Sequence, residues 1–319
     1  MSFSSLPIID LKDDESTIVK LMLNACSTTG FFYLRNHGLL DAQQRMFTLA
    51  KEFFRLPLNV KEEHLITKDN HGYVRRGQEN LTTSTAKLID EKEAFNIAKY
   101  FQSDQLPTIF AQPDNYQFIL QFQQDCYALC MALLTYLAQS FQVDSDYFTS
   151  RHKWEEKSAD TLRLLHYPAV QNYSDASIRA GEHSDYGSIT LLFQHLNQSG
   201  LEVLDRSTNT WYPVEPYNDM LVVNFGDAFE YWSKGFIKST VHRVAMPILD
   251  TAKENERFSI AYFCHPNDST LLTPVPSKLI LNRTFEKDAH AKLALDHENE
   301  ETLTAGEHFQ RRINKTYTY

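Results

Sequence analysis

The sequence predicts a mainly β protein with flanking helices, an antiparallel sandwich or small jelly roll backed by one long helix. Two observations carry this. From Leu162 onward short apolar runs alternate with turn residues and no helical period intervenes. Just before them, residues 115–141 repeat apolar side chains at three- and four-residue steps, the signature of a helix lying against a sheet. With 319 residues, 42% of them hydrophobic, the chain has ample material for a large core.

In chain order, Leu6–Leu11 reads as a short strand. A helix follows with Ile18, Leu21, Met22 and Ala25 on one face, stopped by Gly30. Phe31–Leu34 is a second strand, and a second helix runs from about Asp41 to before Pro57. Residues 59–112 lack a clear period and read as a loop-rich cover. In the long helix Phe118, Phe122, Cys126, Leu129, Cys130, Leu133, Leu137 and Phe141 form one apolar stripe. The strands then expected are Leu162–Tyr167, Ser188–Gln194, Leu201–Leu204, Met220–Phe225, Thr240–Ala245 and Phe258–Cys264. Short helices close the chain around Ala289–Asp296 and Glu307–Asn314. The organisation is one catalytic unit over 1–319: a cover (1–112), a supporting helix region (113–155), a core (156–265) and a C-terminal extension (266–319).

The net charge of −10 argues against a broad basic face for nucleic acid. No apolar run reaches the ~18–20 residues a membrane span needs, and the first residues carry no secretory pattern. Four cysteines in so long a chain make no disulfide framework, and Cys126 and Cys130 read as buried thiols on the helix. A reducing compartment is expected, the cytoplasm with nuclear access open, for a monomer acting on a small molecule.

The chemistry concentrates in Glu182-His183-Ser184-Asp185 and Ser239-Thr240-Val241-His242. On extended chain, His183 and Asp185 point to one side, and His242 follows 57 residues later, far enough to return across a barrel. Two imidazoles and one carboxylate suit a ferrous ion with three adjacent positions open. A zinc hydrolase could use the same three groups. Arg257-Phe258-Ser259, beginning 15 residues after His242, decides for iron. A guanidinium fork with a neighbouring hydroxyl fits the distal carboxylate of a dicarboxylate co-substrate. His37, in an Asn-His-Gly turn, reads as a structural hydrogen bond, Gly38 and Gly226 as positive-φ turn residues, and Trp232 as core or rim. Candidate substrate contacts are Tyr73, Arg75, Asn80, Phe95 and Phe263, with Arg76 beside them.

Taken together these motifs resemble the isopenicillin N synthase-like Fe(II)/2-oxoglutarate-dependent oxygenases over nearly the whole chain. Leu6–Asp10, Gly30-Phe31-Phe32, Asn36-His37-Gly38 and Phe53–Pro57 match the family's N-terminal region. Gly181–Leu192, Gly200–Val203, Asn224–Asp227, Lys238–Val244 and Arg257-x-Ser259 match its core. The resemblance implies a double-stranded β-helix, metal ligands His183, Asp185 and His242, and a 2-oxoglutarate anchor at Arg257 and Ser259. It also implies Tyr167 as a carboxylate contact, although Leu165 stands where plant relatives often carry asparagine. Fe(II), 2-oxoglutarate and O2 are the implied cofactors. A relative oxidising substrate without 2-oxoglutarate and a non-catalytic jelly-roll binding protein remain as alternatives.

Overall fold

The computed structural model describes residues 5–79, 92–169, 178–245, 256–283 and 302–316. Asn80 and the helix expected at 289–296 lie outside them. The N-terminal elements are β1 (Ile8–Asp10), α1 (Glu15–Ser27), β2 (Phe31–Arg35), α2 (Leu40–Phe54), α3 (Leu58–Glu62), β3 (Gly72–Val74), β4 (Glu93–Ala98) and α4 (Thr108–Ala111). The long helix is α5 (Pro113–Ser140), followed by β5 (Thr161–Tyr167), β6 (Ile178–His183), β7 (Ile189–Gln194), β8 (Leu201–Asp205) and β9 (Thr210–Pro213). Then come β10 (Met220–Phe225), α6 (Asp227–Trp232), β11 (His242–Ala245), β12 (Arg257–Cys264), α7 (Lys278–Leu281) and α8 (Ala305–Thr316).

The strands form a large sheet, ordered β1-β2-β10-β7-β12-β5-β4-β3, and a small one, β6-β11-β8-β9. Apart from the parallel β1–β2 pair, all pairings are antiparallel. This is the jelly-roll arrangement expected. Helices α5 and α2 sit on one face of the large sheet, α5 against β7 and β12, and α2 against β5 and β12.

Strand alternation explains how one sheet serves two purposes. On β12, Phe258, Ile260, Tyr262 and Cys264 join the main core beneath the helices. Ala261 and Phe263 turn the other way and pack with Tyr167, Leu165, Ala180 and Val244 between the sheets. Because both faces of β12 are covered, it is buried almost throughout.

Helix α5 has Pro at its first position, where the missing N–H costs nothing, and buries Phe122, Cys126, Leu129, Cys130, Leu133 and Leu137. All four cysteines are buried free thiols. No described helix is long and apolar enough to cross a membrane.

Three features differ from the sequence expectation. Residues 59–112 are more than a cover, since β4 is buried and extends the large sheet beside β5, with Ala94 opposite Leu165. Its Glu and Asn, interleaved with apolar residues on both faces, hide the two-residue period. Strands β6 and β9 were not expected from the pattern, being short and rich in polar or glycine positions. Gly226 has φ −106, not a positive value. It is required for close approach, because a Cβ there would lie 2.4 Å from the Gly187 carbonyl oxygen.

Phe122 is fully buried and its ring lies 5.5 Å from that of Phe193 on β7. Phe122→Ala is expected to cost about 3–5 kcal/mol of stability, read from chemical denaturation. An unchanged midpoint would remove α5 as the support of the sheet.

Candidate active site

His183 ends β6 and His242 begins β11, and the two are cross-strand partners. Their rings lie 4.3 Å apart between centroids. Asp185, two residues beyond His183, completes a cluster whose ligand atoms all lie within 4.8 Å of one another. His242 is therefore on the neighbouring strand, not across the barrel as its sequence separation led us to expect. Among the described residues this is the cluster of three His, Cys, Asp or Glu side chains able to hold a metal ion.

Each imidazole is oriented by its own backbone. His183 Nδ1 donates to the Gly181 carbonyl at 2.7 Å, and His242 Nδ1 to that of Thr240 at 3.1 Å. A carbonyl can only accept, so Nδ1 carries the proton and Nε2 is left as the donor atom for a metal. Burial, with His242 nearby, lowers His183 to a pKa of about 3 and keeps it neutral. His242 Nε2 lies 3.6 Å from Asp185 Oδ1.

The carboxylate is held from the opposite sheet. Thr190 Oγ1 and Asn224 Nδ2 donate to Asp185 Oδ2 at 2.6 and 2.7 Å, leaving Oδ1 towards the imidazoles. Burial alone would raise the Asp185 pKa, but the two histidines and these hydrogen bonds bring it below the usual value. The Asp227 N–H fixes the Asp185 carbonyl at 2.7 Å. Two pre-oriented imidazoles and one ionised carboxylate, each restrained by an outer partner, fit a ferrous ion with open positions.

Arg257 starts β12, in the large sheet, on the strand face that packs against β6 and β11 of the small sheet. It is only 1% exposed. Its Nη1 donates to Ser259 Oγ at 3.2 Å, Nε to the Gln198 carbonyl at 3.2 Å and Nη2 to Gln194 Oε1 at 3.4 Å. Tyr167, its cross-strand partner, places its ring centroid 5.0 Å from the guanidinium carbon. Burial lowers the Arg257 pKa, and contact with Tyr167 opposes that. Compact apolar side chains, Ala180, Val244 and Ala261, pack with Tyr167 between the two sheets.

Beyond the cluster opens a cleft of about 560 Å³, part of it open to solvent, lined by His183, Asp185 and Phe263 among others. Of the substrate candidates, Phe263 lies on its wall. Tyr73 and Phe95 do not, because they are cross-strand partners facing the helices, where Phe53 packs on both. The Tyr73 hydroxyl donates instead to Glu93. Arg75 is ion-paired with Glu62 at 2.6 Å and Arg76 is exposed. His37 accepts the Leu39 N–H at 3.2 Å, a turn contact.

Several cleft residues escaped the sequence reading: Asn70, Glu79, Thr161, Arg163, His265 and, from α8, Phe309 and Ile313. Thr161 and Arg163 were within reach, since alternation on β5 puts them on the same side as Tyr167. Helix α8 was expected, but nothing in its sequence announces that it covers the cleft. Arg312 pairs with Asp227 at 2.9 Å and His308 Nε2 donates to the Tyr186 carbonyl at 3.2 Å, holding the helix there.

Residues 6–116 match the family model described as non-haem dioxygenase in morphine synthesis N-terminal, and residues 158–266 that of the 2OG-Fe(II) oxygenase superfamily. The chain is 36% identical over its full length to a Schizosaccharomyces pombe protein named only as a UPF0676 protein, covering 95% of it. It is 34% identical to the 2-oxoglutarate-dependent dioxygenase frbA of Dothideomycetidae sp., with 77% of this chain and 79% of that one aligned. The crystal structure of a full-length Neurospora crassa protein in complex with alpha-KG and thymine matches with a TM-score of 0.80 at 30% identity, covering 97% of this chain and 96% of that one.

Gly226 lets its loop approach Asp185 closely, a Cβ there also falling 2.9 Å from the Asp185 carbonyl oxygen. Gly226→Ala should displace that carboxylate and weaken metal binding about 10–100-fold while circular dichroism stays native. Unchanged affinity in a zinc or iron titration would show that this contact does not position Asp185.

Proposed function

Because the chain belongs to the 2OG-Fe(II) oxygenase superfamily, we propose that His183, Asp185 and His242 hold its iron and that Arg257, Ser259 and Tyr167 take the distal carboxylate of 2-oxoglutarate. The enzyme couples oxidative decarboxylation of 2-oxoglutarate, to succinate and carbon dioxide, to hydroxylation-type oxidation of a small molecule. Bound iron supplies the chemistry with dioxygen; the protein supplies geometry and exclusion of water.

The observation that carries the residue roles is the convergence of three ligand atoms within 4.8 Å, with a buried guanidinium facing them from the opposite sheet. Arg257 keeps its charge in an apolar setting, where a carboxylate partner offsets the cost of burying it. Ser259 offers its hydroxyl beside the fork, and Tyr167 flanks it. Phe263, next to the cluster, faces whatever enters the cleft.

The substrate is proposed to be small and flat with a polar edge, since the cleft sets phenyl rings against amide, hydroxyl and ionic groups. The thymine complex of the Neurospora relative supports a pyrimidine among the compounds to try. A cytoplasmic monomer without nucleic-acid or membrane partner completes the proposal, supported by the net charge of −10 and by buried free thiols.

Asp185→Ala should abolish both iron retention and substrate-stimulated succinate release across a metabolite panel. Full turnover in that variant would overturn the ligand assignment. Arg257→Ala should raise the 2-oxoglutarate concentration required by roughly 10–100-fold, the loss of a charged hydrogen-bond pair. An unchanged requirement would overturn the anchor.

A further inference from the structure

His265 follows β12 directly, two residues beyond Phe263, and lines the same cleft. It is 6% exposed. Its backbone N–H donates to Asp160 Oδ1 at 2.6 Å, which fixes where the side chain starts. The ring is set edge-on to Phe309 of α8, centroids 5.1 Å apart at 80°. Its other side rests on Gly187, where a Cβ would come within 3.0 Å of Cε1 and Nε2. Among the described residues neither ring nitrogen has a hydrogen-bond partner. Burial first, and His308 next, lower its pKa to about 3, so the ring is neutral and offers one donor and one acceptor. A fixed imidazole on the cleft wall, with neither nitrogen bonded within the protein, is placed to hydrogen-bond what enters the cleft.

Asn70, Glu79, Thr161 and Arg163, which also line the cleft, already have polar partners. Arg163 Nη2 lies 2.6 Å from both oxygens of Glu79, and Lys92 adds a third contact at 3.2 Å. Asn70 donates to Thr161 Oγ1 at 3.3 Å and accepts from Asn96 at 2.8 Å. An ionic substrate would have to part the Glu79–Arg163 fork, whereas a neutral one need not. Phe263 and Phe309 supply apolar faces for a ring.

We propose that His265 hydrogen-bonds the substrate and that the cleft selects a neutral ring compound with amide N–H and C=O groups on its edge. The inference rests on the oxygenase reading above and deepens it. His265 is a positioning residue in the substrate cleft, distinct from the metal ligands and the 2-oxoglutarate anchor.

The test is binding, not turnover. Protein loaded with zinc, as a redox-inert stand-in, and with 2-oxoglutarate is titrated calorimetrically with thymine and with orotate, a uracil ring that carries a carboxylate at C6. The loaded parent should bind thymine, and orotate more weakly. His265→Ala should raise the thymine Kd about tenfold, the loss of one neutral hydrogen bond. His265→Gln, which keeps a donor and an acceptor, should recover most of that loss, and neither variant should change the 2-oxoglutarate Kd. Four results would overturn the inference: no thymine binding by a parent that takes up metal and 2-oxoglutarate, orotate binding the tighter, an alanine variant as good as the parent, or 2-oxoglutarate affinity falling in step with thymine affinity. A parent that takes up neither metal nor 2-oxoglutarate would instead bring down the oxygenase reading, and this inference with it.

Discussion

The pairing of β6 with β11 is the constraint on which the site depends. It sets His183 opposite His242, and a one-residue slip would turn one imidazole out of the interior. Each ring is then fixed by a carbonyl two residues earlier in the chain, Gly181 within β6 and Thr240 just before β11, so the backbone leading into the pairing also selects the tautomer. The carboxylate is the exception. Asp185 lies just past β6, and its orientation is set by Thr190 and Asn224, which belong to the large sheet. Metal geometry and the packing of one sheet on the other are therefore a single requirement. A change that shifts the sheets also shifts one of the three groups proposed to hold the iron.

The large sheet is graded along its inner face. Arg257 pairs with Tyr167 at one end; Ser259 follows between Leu165 and Gln194, then Ala261 between Arg163 and Leu192, then Phe263 between Thr161 and Thr190. Charge gives way to small apolar side chains and then to an aromatic ring with polar neighbours. The opposite face carries none of this variation, because it is filled by Phe258, Ile260 and Tyr262 against the helices. Rigidity comes from one side of the strands and chemistry from the other, so the site residues need little support of their own.

Much of this was legible in the sequence because it obeys a two-residue period. The alternation of Arg257, Ser259, Ala261 and Phe263 can be read directly, and so can the stripe of α5 that backs it. The position of His242 beside His183 could not be read, since sequence distance does not say which strands pair. Tyr73 and Phe95 illustrate the opposite failure: aromatic residues near polar ones resemble a pocket, but register turns both towards the helices. Gly226 was recognised as special for the wrong physical reason, its freedom being steric room beside Gly187 and not a left-handed backbone. Glu79 and the α8 residues reach the cleft through tertiary folding alone, and no local pattern marks them.

Asp227 ties these parts together. Its backbone N–H holds the Asp185 carbonyl, its Oδ1 accepts from Ser239 Oγ at 2.7 Å, and its Oδ2 pairs with Arg312 of α8 at 2.9 Å. Ser239 stands next to Thr240, whose carbonyl orients His242. One buried carboxylate thus links the segment bearing Asp185, the segment leading to His242 and the helix that covers the cleft. The helix is thereby attached to a residue that also contacts the backbone of Asp185 and the segment leading to His242, two of the three groups proposed to hold the iron. The helix over the cleft and the segments carrying the proposed metal ligands therefore share one anchoring residue, as an outer partner that orients a metal site would require.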